Sequence, residues 1–373
     1  MLNNLFSLDD VVLIPSVFSA IKNRSQCSPY IREHSLLPGV NAKLPLFTAP
    51  MSCVISPDNY NDFKECGINT IIPRNVHINT RLKLAKDTFV ALGLEEFKKL
   101  INEEKLPYKM YICIDVANGH MMQLYELSKY AKEKYGDNLV LMVGNIANPD
   151  TYIEYSRIGV DYVRCGIGTS PVCTTSANGG IHYPMGSLLT DIKALKLYNS
   201  NKITKFAKIV ADGGFNNFDQ INKALALGAD FVMLGKIFAK TVEACGPIHS
   251  AIYPNKAEMF ENPEGFNYKM KGLGIEKIKY YECTREYYGM STKRAQKEFG
   301  KEGNKTAEGI SIKVPIEYTI EGWVDNFKHY LQSAMSYTNS VTLDDFIGKV
   351  QCKLITPNAR IAYYKWWYNE LNH

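Results

Sequence analysis

Short apolar runs recur along the chain at residues 44–51, 69–73, 88–93, 110–116, 139–146, 161–168, 207–213 and 230–235, each closed by a glycine, a proline or a polar turn. Between them lie stretches with apolar residues at helical spacing. The clearest is 218–227, FDQINKALAL, in which Phe218, Ile221, Ala224 and Leu225 fall on one side and Gly228 stands just past the end, where a C-cap belongs. Eight strand signals alternating with helix signals predict a parallel sheet, and their number matches a closed barrel. The expected architecture is an α/β (β/α)8 TIM barrel, with residues 1–373 forming one catalytic domain.

Chemistry in such barrels sits at the carboxyl ends of the strands. Here those ends carry Ser52, Arg74, Asp115, Asn145, the loop 166–173, Asp212 and Lys236. After the eighth strand signal the pattern breaks into two irregular stretches, 247–282 and 291–306, so that 247–310 reads as a flap or lid excursion. Helical patterns return at 322–337 and 342–347. The chain then closes on the aromatic, basic tail Tyr363-Tyr364-Lys365-Trp366-Trp367-Tyr368, read as a subunit or core contact.

Composition narrows the class. With 46% hydrophobic and 22% charged residues and no low-complexity tract, the 373-residue chain reads as a globular enzyme with enough length for a large core. A net charge of +5 scattered among acids gives no nucleic-acid footprint but leaves room for small anionic ligands. No apolar stretch reaches membrane-spanning length, and the first residues show no basic flank followed by an apolar core, so no membrane partner and a cytoplasmic location are expected. Nine cysteines without paired metal-type spacing fit reduced thiols rather than a disulfide framework or a zinc site.

The segment Cys165-Gly166-Ile167-Gly168-Thr169-Ser170-Pro171-Val172-Cys173-Thr174-Thr175 runs off a strand into a loop that presents a thiol followed by two hydroxyl residues. Asp212-Gly213-Gly214 ends the next strand signal and Leu234-Gly235-Lys236 the one after, so glycine amides and an ammonium could cradle a phosphate there. Taken singly, each has a plainer reading. Cys173 reads as an inert core thiol, the glycines as requirements of tight βα turns, and Asp115 as a helix cap.

Taken in order, the motifs resemble a known family. Phe6-Ser7-Leu8-Asp9-Asp10-Val11-Val12-Leu13-Ile14-Pro15 is similar to the opening motif of the IMP dehydrogenase and GMP reductase family, residues 166–175 to its catalytic Cys loop, and Ala211-Asp212-Gly213-Gly214 to its ribose and phosphate turn. Tyr288-Gly289-Met290-Ser291 resembles the base-contacting hairpin, and Ala307-Glu308-Gly309 the acidic turn after the flap. The resemblance implies Cys173 as the nucleophile at purine C2, with Thr175 and Glu308 relaying protons. It implies a substrate site of Ser52, Asp212, Gly213, Gly214, Gly235, Lys236, Tyr288, Gly289, Met290 and Ser291. A nicotinamide cofactor would meet Arg74, Asp115, Asn118 and Gly119, and a K+ ion would sit at Gly166 and Gly168. A homotetramer is also implied.

Direction follows from the flap. A dehydrogenase of this family usually carries an Arg-Tyr pair there to activate water, whereas between Met290 and Glu308 this chain reads STKRAQKEFGKEGNKTA. Asp115-Val116-Ala117-Asn118-Gly119 is also closer to the reductase version, and 74–89 runs on without a regulatory nucleotide-binding insert. The implied activity is that of a GMP reductase, NADPH-dependent deamination of GMP to IMP and ammonia, with NADH or NAD as alternative cofactors. The alternatives are an IMP dehydrogenase, IMP with NAD to XMP, and a purine-nucleotide-binding barrel without turnover. Several positions depart from the family: Thr169-Ser170-Pro171 for Pro-Gly-Ser, Ser52-Cys53 for Asp-Thr, Pro73-Arg74 for His-Lys, His182 and Met185 for Gly and Gln, and Lys236 for a serine. No Rossmann-type dinucleotide fingerprint is present, so loops would hold the cofactor.

Overall fold

The computed structural model describes residues 4–32, 38, 43–103, 106, 108–170, 172, 175–250, 283–289, 292 and 309–362. A short strand, β1 (Val11–Leu13), precedes the barrel, whose eight strands follow in chain order: β2 (Leu46–Thr48), β3 (Ile71–Ile72), β4 (Phe89–Leu92), β5 (Met110–Asp115), β6 (Leu139–Ile146), β7 (Tyr162–Cys165), β8 (Lys208–Asp212) and β9 (Phe231–Leu234). All pair in parallel, in the order β2-β9-β8-β7-β6-β5-β4-β3. The ring closes between β2 and the start of β3 by a parallel bridge, Phe47 to Asn69, with the Thr48 amide 2.9 Å from the Asn69 carbonyl. Each predicted run contains one of these strands.

Both faces of every barrel strand are covered, which is why the runs are apolar throughout instead of alternating. Inward-facing Phe47, Ile71, Phe89, Ala91, Tyr111, Cys113, Val140, Met142, Tyr162, Val210, Phe231 and Met233 make an inner core. Phe47 sits at its centre with edge-on or tilted rings of Phe89, Tyr162 and Phe231 at 5.6, 5.8 and 5.1 Å. The intervening residues, among them Val90, Ile112, Leu141, Val163, Ile209 and Val232, pack outward against the helices. The same period of two carries a different cargo at the carboxyl ends. Counting inward positions along β5, β7 and β8 leads from Tyr111, Tyr162 and Val210 to Asp115, Arg164 and Asp212, so the apolar core gives way to a charged layer at the barrel mouth.

Among the helices, α8 (Phe218–Leu227) ends on Gly228 at φ +119°, as its sequence predicts. The helical pattern at 322–337 lies within α10 (Ile320–Tyr337), whose Trp323 stacks on Phe218 and Phe327. The opening motif lies on the helix that follows the Cys loop, α7 (Met185–Tyr198), through paired bonds between Phe6 and Ser187. Of the 247–310 excursion the described part is Pro247, β10 (Ile248–Ser250), β11 (Cys283–Tyr288), Gly289, Thr292, Gly309 and Ile310, and β11 pairs antiparallel with both β10 and β12 (Ser311–Pro315). A last strand, β13 (Cys352–Leu354), returns to pair with β1. Among the described residues no helix is long and apolar enough to cross a membrane.

Candidate active site

Arg164 occupies the middle of the mouth. Its Nη1 donates to Asp115 Oδ1 at 2.6 Å and its Nη2 to Asp212 Oδ2 at 2.8 Å, with the guanidinium almost wholly out of solvent. Burial works against the cation, yet the Asp212 and Asp115 carboxylates outweigh it and hold the guanidinium well above its ordinary pKa. Asn145, at the end of β6, adds a second donor to Asp212 Oδ2 (2.7 Å) and another to the Gly166 carbonyl (2.9 Å). Gly144 beside it sits at φ +143°, and a Cβ there would lie 2.5 Å from the Arg164 carbonyl and 2.7 Å from its Cβ. Only glycine leaves room for Arg164 on the neighbouring strand.

The Cys loop lies over the Asp212 turn. Thr169 Oγ1 donates to the Asp212 backbone carbonyl (2.9 Å), and a Cβ on Gly213 (φ +92°) would stand 2.3 Å from that hydroxyl, so the turn is glycine because the loop rests on it. His182 reaches back to the Ile167 carbonyl at 2.9 Å. Cys173, Met290, Ser291 and Glu308 lie outside the described residues, and Thr175 opens the short helix α6 (Thr175–Gly179). Their chain neighbours nevertheless meet. The Ile310 amide donates to the carbonyl of Val172 at 3.1 Å, and a Cβ on Gly289 would be in ordinary contact with the Val172 side chain. The residue before Cys173, the one before Met290 and the second after Glu308 thus converge beside the mouth.

On the other side, Gly235 precedes α9 (Lys236–Ala239), and a Cβ there would lie 2.7 Å from the Tyr287 hydroxyl. Tyr287 is wholly buried; burial pushes its pKa far up, against a hydrogen bond with Ser170 that lowers it. Lys236 Nζ donates to Asn216 Oδ1 (3.0 Å), whose own amide donates to the Gly214 carbonyl (3.1 Å). Partial burial, with Lys240 nearby, lowers the Lys236 ammonium pKa. Gly214, Gly235, Lys236, Ser170 and Tyr287 therefore surround one region, of which the sequence singled out the first three. Ser52 Oγ lies 3.2 Å from the Tyr288 hydroxyl, and the Cys53 thiol donates to the Tyr288 carbonyl.

The Asp115 side is built from loops. Arg74 Nη1 donates to the Asp115 backbone carbonyl (3.2 Å). The Gly119 amide donates to the Asn145 carbonyl (2.8 Å), where a Cβ would stand 2.6 Å from the same oxygen. Asn118 Oδ1 accepts from the His120 amide. His120 then latches this loop to the next: Nε2 accepts from the Ala147 amide (3.0 Å), which leaves the proton on Nδ1, 3.0 Å from Thr151 Oγ1. Burial lowers its pKa, so the neutral ring is the folded form. A depressed histidine pKa stabilises the fold above the unfolded value and ceases to do so as pH falls through the folded one. Replacing His120 with alanine is expected to cost about 1 kcal/mol of unfolding free energy at pH 7.5. Urea titrations should show the gap closing by pH 5, and an equal gap at both pH values would refute the latch.

Sequence reasoning missed Arg164 and Tyr287. A signal for Arg164 existed, since a charge inside the parallel-strand sequence YVRC has no solvent face to turn to. Tyr287 alternates with Tyr288 along β11 and was masked by it. Among the described residues no cluster of three histidine, cysteine, aspartate or glutamate side chains could hold a metal ion.

Comparison with known proteins supplies an independent line. Residues 108–362 match the family model described as the IMP dehydrogenase / GMP reductase domain. The chain is 27% identical to the GMP reductase of Bacillus subtilis over 92% of its own length and 94% of the relative's. It is 28% identical to human GMP reductase 2 over 68% of the chain and 64% of the relative. The inosine-5'-monophosphate dehydrogenase of Borreliella burgdorferi is 29% identical over 65% of the chain and 54% of the relative.

Proposed function

The chain belongs to the IMP dehydrogenase / GMP reductase family, whose members are oxidoreductases acting on purine nucleotides, and from that premise we propose that it is a GMP reductase. The observation that carries the reading is the meeting at Val172. The Cys loop, the hairpin end and the strand after Glu308 converge there beside Asp212, as attack on a base held by its ribose would require. The direction rests on the missing Arg-Tyr pair between Met290 and Glu308.

In this reading Asp212 Oδ1, which carries no donor among the described residues, accepts from the ribose hydroxyls while Oδ2 stays with Arg164 and Asn145. Gly213, Gly214, Gly235 and Lys236 receive the 5′-phosphate, and Ser170 and Tyr287 take the place of the serine that Pro171 displaces. Ser52, Tyr288, Gly289, Met290 and Ser291 face the base. The Cys173 thiolate adds to purine C2, and the C2 amino group leaves as ammonia with a proton delivered through Thr175 and Glu308. A bound NADPH, held on the Asp115 and Arg74 side, would supply the hydride that reduces the same carbon. The thiolate then departs from C2 and releases IMP.

The mouth fits such a cofactor. Asp115 keeps one oxygen without a donor among the described residues, suited to a second ribose diol, and Arg74, which donates to the Asp115 carbonyl and pairs with Glu96, adds a cation beside it; Asn118 and Gly119 complete the cofactor side in this reading. The Gly166 and Gly168 carbonyls accept from Asn145 and Ser176 and each retains a second lone pair, so K+ would find two ligands there and would brace the Cys loop. The reading extends to one catalytic domain over 1–373 with the 247–310 excursion as its lid, assembled as a homotetramer in the cytoplasm.

Mixing the protein with GMP and NADPH should deplete the reduced-nicotinamide absorbance with stoichiometric release of ammonia. Gain of that absorbance with IMP and NAD instead would establish the dehydrogenase, and nucleotide binding without either signal would reduce the barrel to a binding protein.

A further inference from the structure

One guanidinium serves two carboxylates at the mouth, and neither carboxylate is saturated by it. Arg164 takes Asp115 through Oδ1 only and Asp212 through Oδ2 only. The remaining oxygen of each, Asp115 Oδ2 and Asp212 Oδ1, has no donor among the described residues, and both side chains are only slightly exposed, 11% and 14%. A guanidinium fork left with one carboxylate normally takes both of its oxygens. Here the second aspartate prevents that. Sharing Arg164 is what keeps one acceptor open on each side of the mouth. The geometry around it is built for this purpose: Gly144 leaves space for Arg164, Asn145 fixes Asp212 Oδ2 from the other direction, and Cys113 lies behind Nη1 at 3.7 Å.

We propose that Arg164 is a positioning residue that joins Asp115 and Asp212 into one unit, so that each carboxylate can accept a ligand hydroxyl only while the other holds its half of the fork. The proposal rests on the reading above for the identity of the ligands, a purine nucleotide at Asp212 and a nicotinamide dinucleotide at Asp115. Arg164 itself touches neither in this scheme.

The consequence is a cross-site effect that a merely structural arginine would not produce. Asp115→Asn, remote from the nucleotide, leaves Nη1 only a neutral amide oxygen as acceptor, so the guanidinium turns toward the one remaining carboxylate and occupies Asp212 Oδ1. Calorimetry with the full chain should show the Kd for GMP raised about fivefold or more in Asp115→Asn. The Kd for NADPH should rise similarly in Asp212→Asn. In an Arg164→Lys background, where a single ammonium cannot fork, Asp115→Asn should add nothing to the loss of GMP affinity already caused by the lysine. A GMP Kd within twofold of wild type in Asp115→Asn, or effects of Asp115→Asn and Arg164→Lys that multiply, overturns the proposal.

Should the wild-type chain bind neither ligand, the functional reading fails and the bridge is judged in the free protein. Urea unfolding of Asp115→Asn, Asp212→Asn and the double variant should then show a combined loss larger than the sum, because the second substitution strips a buried cation of its last counter-charge. Additive losses would overturn the bridge as well.

Discussion

Cys173→Ser is expected to lower turnover by about a thousandfold or more while leaving the Kd for GMP within threefold of wild type. Serine keeps nearly the size of cysteine, so the nucleotide site proposed at Asp212, Gly214, Gly235 and Lys236 has no reason to change. What is lost is the thiolate. A thiol ionises at accessible pH and is intrinsically nucleophilic, whereas an unassisted serine hydroxyl is neither. Cys173 follows Val172 in the chain, where Gly289 and Ile310 meet, and in the proposed reading it is the thiol that reaches a base whose ribose is at Asp212. The other thiols at hand are poorly suited. Burial pushes Cys113 and Cys53 up to about 12, and Cys165 is fully buried beside Asp212, which pushes it higher still. Rapid quench of the wild type with GMP, followed by peptide mass analysis, should find the nucleotide attached at 173 and nowhere in the serine variant. Retained turnover in Cys173→Ser would move the nucleophile elsewhere and break the mechanism.

The barrel was legible because burying both faces of each parallel strand forces an uninterrupted apolar run, and eight such runs admit few arrangements. Even β3, reduced to Ile71–Ile72, was visible as 69–73, since Asn69 itself makes the closing bridge to Phe47. Legibility fell where one residue's role depends on another far along the chain. Thr169, read as a departure from the family pattern, holds the Asp212 carbonyl, which explains why the loop tolerates the exchange. Lys236 was visible as a charge next to a glycine, but its tether through Asn216 to Gly214 depends on a turn made elsewhere in the chain. Arg164 left a signal as a charge inside an apolar strand, whereas Arg285 left none, because its acceptors are backbone carbonyls, which leave no trace in side-chain identity.

Arg285→Met should be among the most destabilising single substitutions in this chain, at roughly 3–5 kcal/mol of unfolding free energy. Arg285 lies on β11 with no exposed surface, and among the described residues none of its hydrogen bonds goes to a carboxylate. Its Nε donates to the Gly246 carbonyl at 3.0 Å, Nη1 to those of Ala239 and Thr241 at 3.1 and 2.5 Å, and Nη2 to that of Val242 at 3.2 Å. Burial lowers its pKa to about 10, which still leaves it a cation at neutral pH. The charge is thus solvated by four carbonyl dipoles, that of Ala239 at the end of α9 and three from the segment that follows it, and those carbonyls depend on it for a donor. Methionine fills the volume but strands the oxygens away from water, each at a cost of about 1–3 kcal/mol before relaxation. Arg285→Lys keeps the charge with fewer donors and no fork, so it should fall between the two in urea unfolding. Function should follow the same order. β11 carries Tyr287 and Tyr288 to the mouth, and Gly246 is bonded to Cys53 beside Ser52, so loosening Arg285 displaces together the two sides proposed to hold phosphate and base and should raise the KM for GMP in step with the stability loss. A methionine variant within about 1 kcal/mol of wild type would mean that water reaches these carbonyls and that pairing with β10 and β12 alone holds the hairpin.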